Sequence, residues 1–296
     1  MPSNSLLAAL SRLRTIRPAN TRSRSRSGVA FEVGDLRVLF RTLLIALGLL
    51  MALPLVASEQ VRVGAYHFPP YVIKPEHAAP GGVLPELLAA LNDVQSDYQF
   101  TLVPTSVTRR YRDLESGRFD LILFESPGWG WQNTAHTALE LHIEDAEVYV
   151  ALAEPGRDQD YFDQLKGKRL ALYSGYHYGF AGFNADQQFL RENFAAVLTY
   201  SHDSNLLMLM RGRADIAVIT RSYLQDYQSR YPERSKALLV SRRVDQFYRH
   251  HALFRAQSPL TPETFAGLLL KLNRNGQLDA LLQRYYLVVP EPRPND

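Results

Sequence analysis

A stretch of eleven residues that occurs twice limits what this chain can fold into. Leu114-Glu115-Ser116-Gly117-Arg118-Phe119-Asp120-Leu121-Ile122-Leu123-Phe124 returns 95 residues later as Leu209-Met210-Arg211-Gly212-Arg213-Ala214-Asp215-Ile216-Ala217-Val218-Ile219. Each copy reads as a helix end, a glycine stop, an aspartate and a buried strand. Glycine takes the left-handed conformation that a helix exit often needs. The apolar run after it suits a parallel strand covered on both faces. Two such units predict two similar α/β lobes, and ligands favour the crevice between lobes.

The segments around each copy agree with that reading. The spacing predicts a strand over Val61–Ala65, a helix over Val83–Val94, a strand over Tyr98–Val103, a helix over Thr108–Ser116 and a strand over Asp120–Phe124. The second unit repeats the order: strand Arg169–Tyr173, helix Ala185–Phe194, strand Ala196–Tyr200, a helix capped by Asp203 or Ser204 and ending at Arg211, and strand Ile216–Ile219. Ala146–Leu152 and Val244–Phe254 are extended enough to cross between the lobes, and Leu260–Gln283 reads as helix. The organisation expected is an N-terminal extension and export signal over 1–57, a discontinuous lobe 1 over 58–148 plus 246–288, lobe 2 over 149–245, and a tail over 289–296.

Charge narrows the class of partner. The net charge of +3 is uneven, because residues 1–57 carry eight arginines against Glu32 and Asp35. The rest of the chain holds 25 basic against 28 acidic residues. That balance removes the argument for nucleic acid. Residues 1–36, with Arg22-Ser23-Arg24-Ser25-Arg26-Ser27, are too polar to bury a core and are expected to be disordered. Arg37 and Arg41 then precede an uncharged run from Thr42 to Val56. At about 15 residues it is short for a bilayer span but suits a signal peptide, so the periplasm of a Gram-negative cell is the expected location. No cysteine is present to form a disulfide or carry a lipid.

Four further pieces carry a resemblance. They are Phe68-Pro69-Pro70-Tyr71 after the first strand; Arg109 through Gly117 to Asp120; Leu165-Lys166-Gly167-Lys168-Arg169-Leu170-Ala171 leading to Ser174-Gly175; and Leu272-Asn273 to Gly276 with Leu282 to Tyr285. In this order they resemble the periplasmic solute-binding proteins of polar-amino-acid ABC transporters, extracellular solute-binding family 3. The resemblance implies a type II periplasmic-binding-protein fold, with two Rossmann-like lobes joined by two hinge strands. It also implies a monomer that closes on a small-molecule ligand and serves an inner-membrane ABC permease or a membrane sensor. The family usually holds an α-carboxylate with an arginine after the third strand, but no arginine lies between Arg118 and Arg157. It usually holds the ammonium with an acid where this chain has Thr220 and then Arg221. An ordinary α-amino acid is therefore in doubt.

The candidate site is built on loops beyond the carboxyl ends of the strands, where open α/β sheets bind ligands. These loops hold Tyr66, Phe68, Tyr71, Trp129, Trp131, Tyr176 and Tyr178, an aromatic load suited to stacking or to cations. Arg109 and Arg221 offer guanidinium forks for a carboxylate, Thr220 a hydroxyl, and Ser174-Gly175 backbone N–H groups for an anion. An organic acid or a modified amino acid fits these groups. The histidines lack metal-ligand spacing, and no Walker, dinucleotide or nucleophile-elbow pattern stands where it would work, so neither metal nor cofactor is expected. The alternative is an enzyme on the same scaffold, since some relatives resemble dehydratases. Glu125, ending the lobe 1 repeat strand, is the acid so placed to donate a proton.

Overall fold

The computed structural model describes residues 58–287. The expected N-terminal extension and export signal over 1–57 and the expected tail over 289–296 lie outside the described residues. The first unit runs β1 (Glu59–Ala65), α1 (Val83–Val94), β2 (Tyr98–Pro104), α2 (Arg110–Glu115) and β3 (Leu121–Glu125). After β4 (Thr137–Leu152) the second unit runs β5 (Leu170–Tyr173), α3 (Gln187–Phe194), β6 (Ala196–Thr199), α4 (His202–Met210) and β7 (Ile216–Thr220). Then come α5 (Arg221–Arg230), α6 (Pro232–Ser235), β8 (Leu238–Phe254), α7 (Pro262–Arg274) and α8 (Gln277–Arg284).

Both units wind the same way. β1 lies between β2 and β3 with both pairings parallel, and β5 lies between β6 and β7 with both pairings parallel. The eight strands form one hydrogen-bonded array in the order β2-β1-β3-β8-β4-β7-β5-β6, not two separate sheets. Continuity comes from β4 and β8, of 16 and 17 residues, which pair with each other and reach both units. Phe254 and Leu253 of β8 pair with β3, whereas Glu147–Val150 of β4 pair with β7. The β4–β8 ladder shifts register between Glu140 and Glu144, with His142 at positive φ, so the ribbon is irregular between the units.

The repeated glycines and aspartates have the same geometry in both copies. Gly117 and Gly212 sit at positive φ. Arg118 N–H donates to the Asp113 carbonyl and Arg213 N–H to the Met208 carbonyl, each at 2.9 Å. These are six-to-one bonds that satisfy helix-end carbonyls, and glycine reaches that left-handed turn without Cβ strain. Each aspartate then ties its strand to the first strand of its own unit. Asp120 accepts from Arg62 N, Nε and Nη2 at 2.9, 3.0 and 2.8 Å. Asp215 accepts from Arg169 N, Nε and Nη2 at 2.7, 3.1 and 2.8 Å.

Apolar faces close the core. Val83, Leu84, Leu87, Leu88 and Leu91 of α1 are buried at helical spacing, each buried Leu contributing about 1.5–3 kcal/mol. The C-terminal helices pack on this unit: Phe265 meets Phe100 and Phe254 at ring distances of 6.3 and 5.7 Å, and Arg284 and Tyr285 bond Glu86. In the other unit Leu206 and Leu209 pack with Ile219, Tyr223, Leu224 and Tyr227. One expected cap differs. Ser201, not Asp203 or Ser204, caps α4, its hydroxyl accepting from Ser204 N at 3.0 Å. Its extended backbone turns the oxygen onto the free N–H groups of the first turn.

Candidate functional site

The loops after β1, β2, β3 and β5 converge with the middle of the β4–β8 ribbon. There they enclose an inner cavity of about 10 Å³, the room one water needs. Tyr66 and Phe68 enter from the loop after β1, Val107 and Arg110 from the start of α2, and Trp129 from the segment after β3. Gly175, Tyr176 and His177 close it from the loop after β5, while Glu147 of β4 and Gln246 of β8 form the back. Phe68 is the central ring: it meets Trp129 and Tyr176 edge-on at 5.8 and 5.4 Å and stacks on Tyr66 at 5.8 Å. A larger cleft of about 910 Å³ shares Tyr66, Val107, Gly175 and His177 with the cavity. Lys74, Glu76, Thr105, Ser106, Ser174 and Gln187 also line it.

Contacts join the two sides. Tyr173 hydroxyl donates to the His67 carbonyl at 3.3 Å, and Gln246 side-chain N–H donates to the His177 carbonyl. Asp245 anchors the loop after β5, accepting from Gly179 N, Phe180 N and the Tyr149 hydroxyl at 2.7, 2.8 and 2.7 Å.

Two carboxylates lie beside the cavity in different states of engagement. Glu125 ion-pairs with Arg110, Nε to Oε1 at 3.1 Å, both side chains being at most 1 % exposed. Trp131 Nε1 donates to its other oxygen at 2.8 Å. Burial pushes the Glu125 carboxyl up, while Arg110, Trp131 and Tyr66 pull against it. Arg110 lies 4.9 Å from the Tyr66 ring centre and 4.4 Å from that of Tyr111, so its charge is met by an acid and by π-faces.

Glu147 is different. Its Oε1 accepts from Thr220 at 2.8 Å and from Tyr248 at 3.2 Å, while Oε2 is buried without a hydrogen-bond partner. Burial pushes this carboxyl well above its ordinary range. Thr220 and Tyr248 oppose the shift, and the neighbouring Asp145 and Asp245 add to it. His202 Nε2 lies 3.0 Å from the Thr220 hydroxyl, extending a buried chain His202–Thr220–Glu147, and burial lowers this histidine to about 3. His177 is lowered to about 4, by burial first and then by Arg110.

Of the residues expected from the sequence, Tyr66, Phe68, Trp129, Gly175 and Tyr176 line the inner cavity, and Ser174 with Gly175 lines the outer cleft. Tyr71 is fully buried behind them, its hydroxyl on Asp145 at 2.8 Å. Trp131 is buried on Glu125, and the Tyr178 hydroxyl accepts from Tyr173 N at 2.7 Å. Thr220 is buried beneath Glu147, and Arg221 lies 3.8 Å from Asp145 and 5.6 Å from the Phe247 ring. Arg109 is exposed and bonded to Ser106; its neighbour Arg110 faces the cavity. Sequence reasoning missed Arg110, Val107, Glu147, His177 and Gln246. One signal was available for Glu147: an acid inside the apolar run Ala146–Leu152 is costly unless it has a task.

The comparisons agree with this architecture. Residues 85–292 match the family model described as ABC transporter, phosphonate, periplasmic substrate-binding protein. No curated protein sequence matches the chain. Among solved structures, an ancestral arginine-binding protein bound to arginine superposes with a TM-score of 0.59 at 15% identity, covering 78% of this chain and 99% of that one. A substrate-binding protein of an ABC uptake transporter from Streptococcus pneumoniae with bound histidine gives 0.61 at 17%, covering 77% and 92%. An ancestral amino-acid-binding protein described as a precursor of cyclohexadienyl dehydratase gives 0.53 at 16%, covering 76% and 94%. At these identities the likeness is one of fold: a two-lobed type II periplasmic binding protein. With 208 of its 296 residues matched, the chain belongs to the periplasmic substrate-binding proteins of phosphonate-type ABC transporters.

Proposed function

We propose that the protein is a non-enzymatic, monomeric carrier that is exported by its N-terminal signal. It captures a small polar organic solute by lobe closure and delivers it to an inner-membrane ABC permease. Lobe 1 comprises 58–148 plus 246–288 and lobe 2 comprises 149–245, and the β4–β8 ribbon is the hinge. The observation that carries this reading is the inner cavity, walled by Tyr66, Phe68 and Trp129 from one side and Tyr176 and Gly175 from the other. A site divided in this way is complete only when the halves meet, which is how closure couples to binding. The family description and the arginine- and histidine-bound structures of the same fold support an amino-acid-like or phosphonate solute.

The dehydratase alternative requires Glu125 to meet the solute. Its engagement by Arg110 and Trp131, away from the cavity lining, supports the carrier reading instead. Small-angle scattering on the purified protein tests closure. A solute that raises the melting temperature should also reduce the radius of gyration, and stabilisation without compaction would reject hinge capture.

A further inference from the structure

Arg110 is the one cationic side chain on the wall of the inner cavity, and the fold supplies its counter-ion in advance. Arg110 and Glu125 both belong to the first unit, so their pair stands whether or not the lobes have met. Neither Arg110 Nε nor Glu125 Oε1, 3.1 Å apart, has a hydrogen bond aligned on it, so what the pair supplies is charge. The rest of the guanidinium is covered too. Nη1 donates to the Val107 carbonyl, and the rings of Tyr66, Tyr111 and Trp131 lie 4.9, 4.4 and 5.7 Å from the guanidinium carbon. A guanidinium keeps its proton, so a protonated Glu125 would leave a buried charge unpaired, and that cost holds the acid ionised. The backbone bends to place this acid. The β3–β8 register shifts between Ile122 and Glu125, and Phe124 sits at φ +62, where a side chain is tolerated only at a cost. An irregularity of this kind re-aims the side chain beside it. Trp131 Nε1 then fixes the second carboxylate oxygen at 2.8 Å.

We infer that Glu125 determines which charge the protein accepts: by occupying Arg110 from behind, it denies that guanidinium to a carboxylate or phosphonate, so the end of the solute that lies against the inner cavity is uncharged. This rests on the carrier reading and deepens it. An anion placed there would meet a pair of net charge zero and lose its hydration with no free cation in exchange. The other ionisable groups on the wall do not change that sum, because burial holds Glu147 and His177 neutral. An uncharged amide or hydroxyl gives up less hydration, and it finds the buried Tyr176 hydroxyl, which has no partner among the described residues. The charged groups of the solute stay in the outer cleft. That cleft carries exposed side chains of both signs, Lys74, Glu76 and Asp186, and it meets the cavity at Val107 and Gly175. Glu125 thus acts on the solute only through Arg110, as a positioning residue for specificity.

Isosteric pairs of probes, titrated into the full protein in a calorimeter, read the charge alone. Glutamine with glutamate, asparagine with aspartate, and phosphonoacetamide with phosphonoacetate differ only in an amide or a carboxylate at one end. In at least one pair the amide member should bind on the order of tenfold or more tightly than its acid. Glu125→Gln, of equal size, leaves Arg110 without its counter-ion and should lower that amide-to-acid ratio by about tenfold or more. The double variant Arg110→Gln/Glu125→Gln carries neither charge and should bring the ratio back to within about threefold of the wild type, which a loss of packing would not do. Acids bound as tightly as their amides in every pair, or no binding of any amide member, would overturn the inference on the wild type alone, whether or not a variant folds. A ratio that Glu125→Gln leaves unchanged, or that the double variant fails to restore, would overturn it as well. If an acid binds best and compacts the protein in scattering, the charge selection alone has failed; if no solute compacts the protein, the carrier reading has failed with it.

Discussion

Replacing Gly175 by alanine separates the cost of folding from the cost of closure. Gly175 lies in the loop after β5 at φ +87, and a Cβ built there would meet Val107 Cγ1, across the cleft, at 2.8 Å and Val107 Cβ at 3.3 Å. The positive φ acts whether the lobes are open or shut, costing about 1–2 kcal/mol of stability for a residue with a side chain. The clash exists only where the lobes meet. Overpacking of that kind costs about 1–3 kcal/mol, which is roughly 5- to 150-fold in solute affinity. Calorimetric titration with a solute that the wild type binds reads the second term, and urea unfolding of the ligand-free protein reads the first. The double variant with Val107→Ala should recover most of the affinity and none of the stability. If Gly175→Ala binds as the wild type does, or if Val107→Ala restores nothing, Gly175 and Val107 do not meet on closure and the argument fails.

Other outcomes follow from the same contacts. Asp120→Asn should cost about 2–3 kcal/mol in urea unfolding, because its carboxylate is 2 % exposed and also holds Arg255 at 2.9 Å. Asp215→Asn, with side chains 30 % and 48 % exposed on Asp215 and Arg169, should cost about 1 kcal/mol or less. Equal losses would mean that burial does not set the worth of the repeated fork. Glu147 is held neutral by burial, so the folded ligand-free protein keeps a proton that the unfolded chain releases above about pH 4.3. Stability should fall as pH rises from that value, in a field made by Asp145, Asp245, Tyr248, Thr220 and Arg110. Melting of wild type and Glu147→Gln should therefore diverge between pH 5 and pH 7.5, with the variant the more stable, and converge near pH 4; parallel curves would show that Glu147 is not held neutral. Trp131→Phe should lose about 1–3 kcal/mol through the freed Glu125 oxygen yet change solute affinity less than about twofold, as read by unfolding and titration, because Trp131 does not line the cavity.

What the sequence by itself determined is local and repeated. The helix Val83–Val94 is legible because its apolar residues recur at the helical period with Gly82 before it. The two glycine exits and the strands after them are legible because a left-handed turn and a doubly buried strand each demand particular residue types. Together they implied two alike α/β units with aromatic loops at their strand ends. The tertiary structure decided what each loop residue faces. At the start of α2 one residue is a turn of about 100°, so Arg109 looks to solvent and Arg110 to the cavity. The task of Glu147 depends on Thr220 and Tyr248, residues 73 and 101 positions away, leaving one of its oxygens unmet. Periodicity reports which face of an element is apolar, but which polar atom ends without a partner is set only when distant strands are brought side by side.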